Sequence, residues 1–191
     1  PLDGQTEDGA RWWYSLLLYN LKGSSCSIRP AQLSPPALSQ RGYVVSRFGA
    51  PCADGAPATS CVAAFSESTP LAVATDATGT GRVTDIRLLQ VAPVLSGGWV
   101  VLGEQAKYVS VSPQRLVATR ASGAAKAGGS DGLTEDELMH AGGLAFGVRG
   151  KAGEKVEVAV IVPAHDGGLS DVAAAASGVV AEVAVTVGPS G

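Results

Sequence analysis

The titratable side chains that could do chemistry stand in two small groups. His165 and Asp166 are neighbours in the polar segment PAHDGGLSD, and a histidine paired with a carboxylate can orient a general base. Glu135, Asp136 and Glu137 form the second group. Glycosidases use two carboxyl groups about 5–10 Å apart across a cleft, so an acidic group of this kind is a candidate for such chemistry.

Neither group predicts an active site. Sequence neighbours on a loop rarely face each other productively, and no serine in a G-x-S-x-G context accompanies His165. The acidic triplet follows Thr134 with the spacing of a capping box, where carboxylates favour the start of a helix. Asp166 and Asp171 could give oxygens to Ca²⁺, but the further oxygen ligands of a calcium loop are not obvious. We expect no catalytic residue and no metal site.

A glycine pair suggests a nucleotide loop only superficially. Gly79-Thr80-Gly81 resembles the start of a dinucleotide fingerprint, but the third glycine is missing and Val83, a strand-type residue, follows. Glycines at this spacing suit a hairpin turn. We therefore expect a turn here, and no cofactor.

The chain has three cysteines, and two of them flank a short loop. Cys52 and Cys61 enclose ADGAPATS between two strand-like runs, which predicts a disulfide; closing such a loop contributes roughly 2–3 kcal/mol. A disulfide favours an extracellular or secretory setting, and two unrelated thiols are the alternative. Metal binding is disfavoured because no CxxC spacing exists and neither histidine is near in sequence. Cys26 is either a buried small side chain or a partner for another chain.

Three tryptophans are the candidate contacts with a ligand or partner: Trp12, Trp13 and Trp99. Adjacent residues of a strand point to opposite faces, so Trp12 and Trp13 cannot share one core face. The apolar run RWWYSLLLYNL predicts a strand in the centre of a sheet. One tryptophan would then contact a second domain, a partner chain or a sugar ring; the alternative is that it covers the second face beneath Pro35-Pro36.

Composition excludes several classes of protein. The 191 residues are 46 % hydrophobic and 16 % charged with a net charge of −3, which gives no field to attract nucleic acid. No apolar stretch reaches the 18 or more residues of a membrane helix. The chain begins at Pro1 without a signal-like segment, from which we expect a processed product or a fragment.

Short strands with glycine-rich turns between them predict one all-β domain. Residues 43–48 and 61–67 are expected to form a hairpin, and 108–112 another strand. We predict an antiparallel β-sandwich of about ten strands with one or two short helices. Residues 1–10 would be an arm or linker, 11–191 the sandwich domain, and 121–132 a flexible loop within it.

The last two strands have the clearest pattern. In 155–162 the even-numbered valines share one face, opposite Lys155 and Glu157, and in 179–187 the odd-numbered valines do the same. Period two with polar partners is typical of half-solvated antiparallel strands. Residues 170–178 between them predict one short alanine-rich helix.

One segment resembles a known group. Residues 91–116, VAPVLSGGWVVLGEQAKYVSVSPQRL, together with AFGVRGKAGEKVEVAVIVP and VAEVAVTVG, resemble the C-terminal β-sandwich modules of carbohydrate-active enzymes, the α-galactosidase and raffinose-synthase-like proteins. In that group a catalytic barrel carries the paired aspartates and the β domain packs beside it. The βα alternation of such a barrel does not occur here, so the resemblance carries over no catalytic residue.

The resemblance implies a non-catalytic accessory module of a larger carbohydrate-active, glycoside hydrolase-like protein. Its partners would be another protein chain or domain and, as a further ligand, carbohydrate, with no nucleic acid and no membrane. The alternative is a self-assembling structural or coat-type subunit that associates through sheet edges.

Overall fold

The structure, a computed structural model, describes most of the chain. The described residues are 12–19, 26–33, 42–73, 87–112, 114–121, 143–164 and 171–189. No helix within these ranges has the length and hydropathy needed to cross a membrane.

The described residues are mostly β, which confirms the predicted class. They contain eleven strands, one short helix and three 3-10 turns. The predicted hairpin at 43–67 and the predicted alanine-rich helix are both present. The strands are β1 (Tyr14–Leu18), β2 (Cys26–Ile28), β3 (Tyr43–Arg47), β4 (Val62–Phe65), β5 (Leu71–Val73), β6 (Arg87–Pro93), β7 (Val100–Gly103), β8 (Leu116–Ala121), β9 (Leu144–Val148), β10 (Lys155–Val162) and β11 (Val179–Thr186), and the helix is α1 (Asp171–Ala176).

These strands form four antiparallel sheets. A four-stranded sheet has the order β1-β6-β3-β4 and a three-stranded sheet the order β11-β10-β7. Two ribbons, β2-β5 and β8-β9, complete the set. Every strand pairing is antiparallel, as the hairpin-like spacing of the sequence predicts.

The two larger sheets share one buried cluster, the inner core. It combines side chains of β3, β4 and β6 with side chains of β7, β10 and β11. Helix α1 adds Ala175, which is fully buried. The members are Val44, Cys52, Ala58, Val62, Ala92, Val94, Val100, Leu102, Ala159, Ile161, Ala175 and Val180.

The opposite faces of the two larger sheets are covered as well. The valine core joins β7 and β10 to side chains of the β8-β9 ribbon, and the aromatic core joins β3, β4 and β6 to the β2-β5 ribbon. Because both faces of β7 are covered, Val100, Val101 and Leu102 are all at most 3 % exposed. This two-sided burial explains the unbroken apolar runs in the sequence. The valine core is Leu95, Val101, Val111, Leu116, Val156, Val158, Val160 and Val187; the aromatic core is Leu33, Tyr43, Val45, Phe65 and Val91.

Strand β1 does not lie in the centre of its sheet, so that prediction is wrong for the described residues. Among them β1 pairs only with β6. Tyr14 and Leu16 pack on the aromatic core, whereas Leu17 is 49 % exposed. The apolar run therefore combines residues packed on the aromatic core, Trp13 packed on the inner and valine cores, and Leu17, which is exposed.

Two other predictions are corrected. Residues 108–111 form bends and residue 112 is irregular, so the predicted strand is absent, because the chain folds back so that the Glu104 amide donates to Ser110 O. The odd-numbered valines of the last strand do not all face a core: Val179 and Val183 are 47 % and 37 % exposed, whereas Val187 is buried in the valine core. The β8-β9 ribbon covers one face of β10 and β7. The corresponding face of β11 lies partly beyond the ribbon, so Val179 and Val183 stay exposed.

Some predictions fall outside the described residues. They concern the arm at 1–10, the turn at 79–81, the capping box at 134–137 and the pair at 165–166. Most of the loop predicted at 121–132 lies there too, although Ala121 itself ends β8.

Candidate functional site

A charged cleft opens at one end of the three-stranded sheet. It has a volume of about 350 Å³ and is bounded by Pro51 and Cys52 on one side and by residues 103–107 on another. Its floor consists of β10 and β11 residues, among which Glu157 and Glu182 are acidic. The charged side chains around the cleft are Glu104, Lys107, Lys155, Glu157 and Glu182.

Arg115 forms an ion-pair network at one wall of this cleft. Its Nε donates to Glu104 Oε2 at 3.0 Å and its Nη1 to Glu154 Oε2 at 2.9 Å; a further ion pair joins its Nη2 to Glu154 Oε1. Lys107 Nζ lies 2.8 Å from Glu104 Oε1. The network fastens the end of β7 to the start of β8 and to the turn before β10.

Two glycines make room for this arrangement. A Cβ at Gly103, where φ is +81°, would lie 2.2 Å from Ser110 O, so only glycine lets the 104–110 loop return this closely. A Cβ at Gly150 would lie 2.5 Å from Glu154 Oε2 and 2.7 Å from Arg115 Nη1. The network therefore depends on backbone positions without side chains.

The network keeps its carboxylates ionised. Burial opposes the charge of Glu104, but hydrogen bonds from Arg115 and Lys107 outweigh it and hold the pKa of Glu104 below its ordinary value. The Arg115 hydrogen bond, helped by the Lys151 amide, lowers the pKa of Glu154 to about 2. A general acid at neutral pH needs a raised pKa, so these two carboxylates are suited to structure rather than to proton donation.

The disulfide predicted between Cys52 and Cys61 is present, with a Cα–Cα distance of 5.3 Å. It closes the loop between β3 and β4, hereafter the clip loop (residues 52–61). The Cys52 amide donates to Gln105 Oε1 at 2.7 Å, so the clip loop is also fixed to the wall of the cleft.

The clip loop lies along the outer edge of β11. The Gly55 amide donates to Val180 O at 2.8 Å, and the Val180 amide donates to Ala56 O at 2.9 Å. Further along the edge, the Ala58 amide donates to Gly178 O at 2.9 Å. The Glu182 amide donates to Asp54 Oδ1 at 2.9 Å. Loop residues 54–58 thus act as a short additional strand at the edge of the three-stranded sheet.

A second surface feature is apolar and lies beside β1. Leu17 is paired with Leu88 of β6, whose carbonyl accepts from the Phe48 amide. The Phe48 ring is 5.4 Å from the Tyr108 ring, and Tyr108 is followed by Val109. Exposure is 49 % for Leu17, 60 % for Tyr108 and 53 % for Val109. We call Leu17, Phe48, Tyr108 and Val109 the β1 patch.

The three tryptophans occupy different environments. Trp13 packs against both the inner core and the valine core, and its Nε1 donates to Val101 O at 2.9 Å. Trp99 packs against the valine core. Trp12 is partly exposed and belongs to none of the three clusters. Their predicted role as ligand or partner contacts stays a prediction.

The structure brings together residues that no sequence motif marks. Glu104, Arg115 and Glu154 lie 11 and 39 positions apart along the chain, without the periodicity that predicts contacts within a helix or strand. The only hint is that all three sit next to turns. Of the residues singled out from the sequence, Cys52, Lys155 and Glu157 border the cleft. Cys52 and Cys61 close the clip loop. The side chain of Cys26 lies outside what the structure describes.

Comparison of the chain with protein-family models, curated proteins and solved structures finds no match. The functional argument therefore depends on the geometry of the cleft, the clip loop and the β1 patch.

Proposed function

We propose that this chain is a non-catalytic accessory β module that docks on another chain or domain of a larger carbohydrate-active protein. The observation that carries the docking role is the β1 patch. Exposed apolar groups that cluster on one surface usually mark interaction sites. Tyr108 in particular combines a large flat side chain with 60 % exposure, and tyrosine is enriched among residues that contribute most to binding.

The carbohydrate-active context is supported by the position of the segment that resembles those modules. Residues 91–116 include β7 and the wall of the cleft at 104–107. They also include Tyr108 and Val109, two exposed residues of the β1 patch, and Arg115. The resemblance thus concerns a surface and not only core strands. Glu104 and Glu154 are held in ion pairs with Arg115 and have lowered pKa values, which suits these two carboxylates to a structural role.

A self-assembling structural subunit is the second candidate. It is favoured by β11, which ends the three-stranded sheet and whose Val179 and Val183 are 47 % and 37 % exposed, although the clip loop covers its outer edge at residues 178–182. Exposed valines on an edge strand can pack against the same strand of another copy.

Affinity purification of the whole chain from its natural source, followed by identification of the bound chains, tests the proposal. We expect a partner with glycosidase activity. Tyr108→Ser should reduce its recovery by about tenfold or more, the effect expected of an interface aromatic residue. Val183→Ser, which changes another exposed side chain away from the patch, should not. Particles that contain only this chain, or a partner that Tyr108→Ser leaves bound, would contradict the proposal.

A further inference from the structure

The edge of β11 at residues 178–182 is covered by the chain's own clip loop. Four hydrogen bonds from residues 54–58 occupy the outward-facing amides of Val180 and Glu182 and the carbonyls of Gly178 and Val180. An uncovered strand edge presents a row of such groups to any other strand. The clip loop therefore blocks a site that the fold would otherwise expose.

Besides the disulfide and these hydrogen bonds, the clip loop is held at its base by the Cys52 amide, which donates to Gln105 Oε1, and by the buried side chain of Ala58. Within it, Cys52 and Ala58 are the only buried residues of the inner core, and Ala53, Asp54 and Gly55 are exposed. Gly55 has a φ of +73°, and a Cβ at this position would have no atom within 4 Å, so at its tip the loop touches β11 through backbone hydrogen bonds and its other side is open. Closing the loop covalently restricts the opened chain, which is how a disulfide favours the docked state.

The disulfide is within reach of a reductant. Cys61 is partly exposed and borders a groove beside β3 and β4, and Cys52 borders the charged cleft on the other side. A dithiol reduces it in two steps. One thiolate attacks Cys61 Sγ, the S–S bond breaks and Cys52 leaves as the thiolate. The second thiol then attacks the mixed disulfide, which frees Cys61 and leaves the reductant as a cyclic disulfide.

The edge that reduction would expose is complementary to itself. The outward-facing groups belong to residues 178, 180 and 182. An antiparallel pairing with its two-fold axis at Ala181 places Val180 opposite Glu182 of a second copy. The outward-facing amides of these two residues are then in register for hydrogen bonding between the copies. This pairing also places Val179 opposite Val183 of that copy, so the half-exposed valines cover each other and no two Glu182 side chains stand directly opposite. Two-fold pairing of one strand with itself is the simplest closed interface.

We propose that the Cys52–Cys61 disulfide is a redox latch on a latent docking edge. Reduction by a dithiol releases the clip loop and frees residues 178–182 of β11 for antiparallel pairing with the same strand of a second copy. This inference is independent of the accessory-module proposal, because it uses neither the β1 patch nor a carbohydrate-active partner.

Hydrogen exchange followed by mass spectrometry tests the release step. In dilute protein treated with dithiothreitol, the amides of Gly55, Ala58, Val180 and Glu182 should exchange about 100-fold faster than in the oxidised protein, the factor that loop-closure entropy gives for a loop of about ten residues. Amides shared by β10 and β7 should be unchanged and show that the fold is intact. The double variant Cys52→Ser/Cys61→Ser should behave like the reduced protein. Equal protection in both states would overturn the proposal.

Light scattering after size-exclusion chromatography tests the docking step. The oxidised protein should elute at the mass of one chain. The triple variant Cys26→Ser/Cys52→Ser/Cys61→Ser, which also lacks the third thiol, should elute at twice that mass. Val179→Lys should abolish the doubling, because it places a charge in the paired apolar row. Thr186→Lys, exposed on the same strand but beyond the paired residues, should not. Loop release without a change in mass, or doubling that survives Val179→Lys, would show that β11 does not take up a second copy.

Discussion

The two edge strands β1 and β11 differ in how their apolar side chains and outer edges are covered. Both end a described sheet and both carry half-exposed apolar side chains, Leu17 on β1 and Val179 and Val183 on β11. The edge of β11 is covered by the clip loop, which a disulfide closes. Beside β1 the described residues provide no loop that is hydrogen-bonded to its outer edge, and Leu17, Tyr108 and Val109 are 49 %, 60 % and 53 % exposed.

The difference suggests a division of roles. An edge that its own chain covers can be used only after something moves, whereas an exposed apolar surface is ready to bind at once. In the two proposals, permanent docking belongs to the β1 patch and conditional self-association to β11. The two roles can be tested separately, because substitutions near β1 and near β11 should change the free energy of unfolding by different amounts.

The largest effect is expected at the start of β1. Trp13 contacts both the inner core and the valine core and donates to Val101 O at 2.9 Å. Trp13→Ala should lower the free energy of unfolding by about 3–5 kcal/mol, as truncation of a core aromatic does. Trp12→Ala, its neighbour outside the three clusters, should cost less than about 1 kcal/mol. Denaturant unfolding of both variants measures this; equal costs would mean that Trp13 does not anchor β1.

An intermediate effect is expected at Arg115, whose ion pairs join the end of β7 to the starts of β8 and β10. Arg115→Gln leaves the buried Glu104 carboxylate without its main partner, which should cost roughly 1–3 kcal/mol at pH 7. Lys155→Gln, which breaks the exposed pair with Glu157, should cost less than about 0.5 kcal/mol. Denaturation midpoints at pH 7 compare the two variants. Similar costs would show that the network stabilises the protein no more than a surface ion pair.

The same variant has a defined pH dependence. Glu104 and Glu154 have lowered pKa values in the folded protein, that of Glu154 about 2 against an ordinary 4.5. Their contribution to stability is therefore complete above about pH 4.5 and is lost as the pH falls toward 2. The free energy of unfolding, measured across this range, should fall with decreasing pH in the wild-type protein. It should fall less steeply in Arg115→Gln. Parallel curves would mean that the arginine does not cause the lowered pKa values.

Much of the fold follows from local patterns in the sequence. The span of β10 matches the predicted 155–162, because Lys155 and Glu157 alternate with valines before the strand becomes buried on both faces. The Cys52–Cys61 disulfide follows from two cysteines that flank a turn-rich loop between strands that pair. Both signals are contained within a few residues, which is the range over which sequence patterns act.

The errors have a different origin. The run RWWYSLLLYNL does not indicate whether its strand pairs with one neighbouring strand or with two. Apolar residues on both faces are equally compatible with a central strand and with an edge strand that carries an exposed apolar patch. The valine alternation of β11 indicates a strand but not how far the β8-β9 ribbon extends over it. The contact of Glu154 with Arg115 spans 39 positions and depends on the packing of two sheets. These properties are set by tertiary structure alone.

The smallest effect on stability is expected on β1 itself, where two adjacent leucines form a matched pair. Leu16 packs against the aromatic core, whereas Leu17 is 49 % exposed on the opposite face. Leu17→Ser should change the free energy of unfolding by less than about 0.5 kcal/mol, as surface substitutions do. Leu16→Ser should cost about 1.5–3 kcal/mol, the contribution of burying a leucine side chain. Denaturation midpoints of the two variants decide between the two faces. If Leu17→Ser costs as much as Leu16→Ser, then the chain covers this face itself, β1 resembles β11, and the β1 patch is not free to dock on a partner.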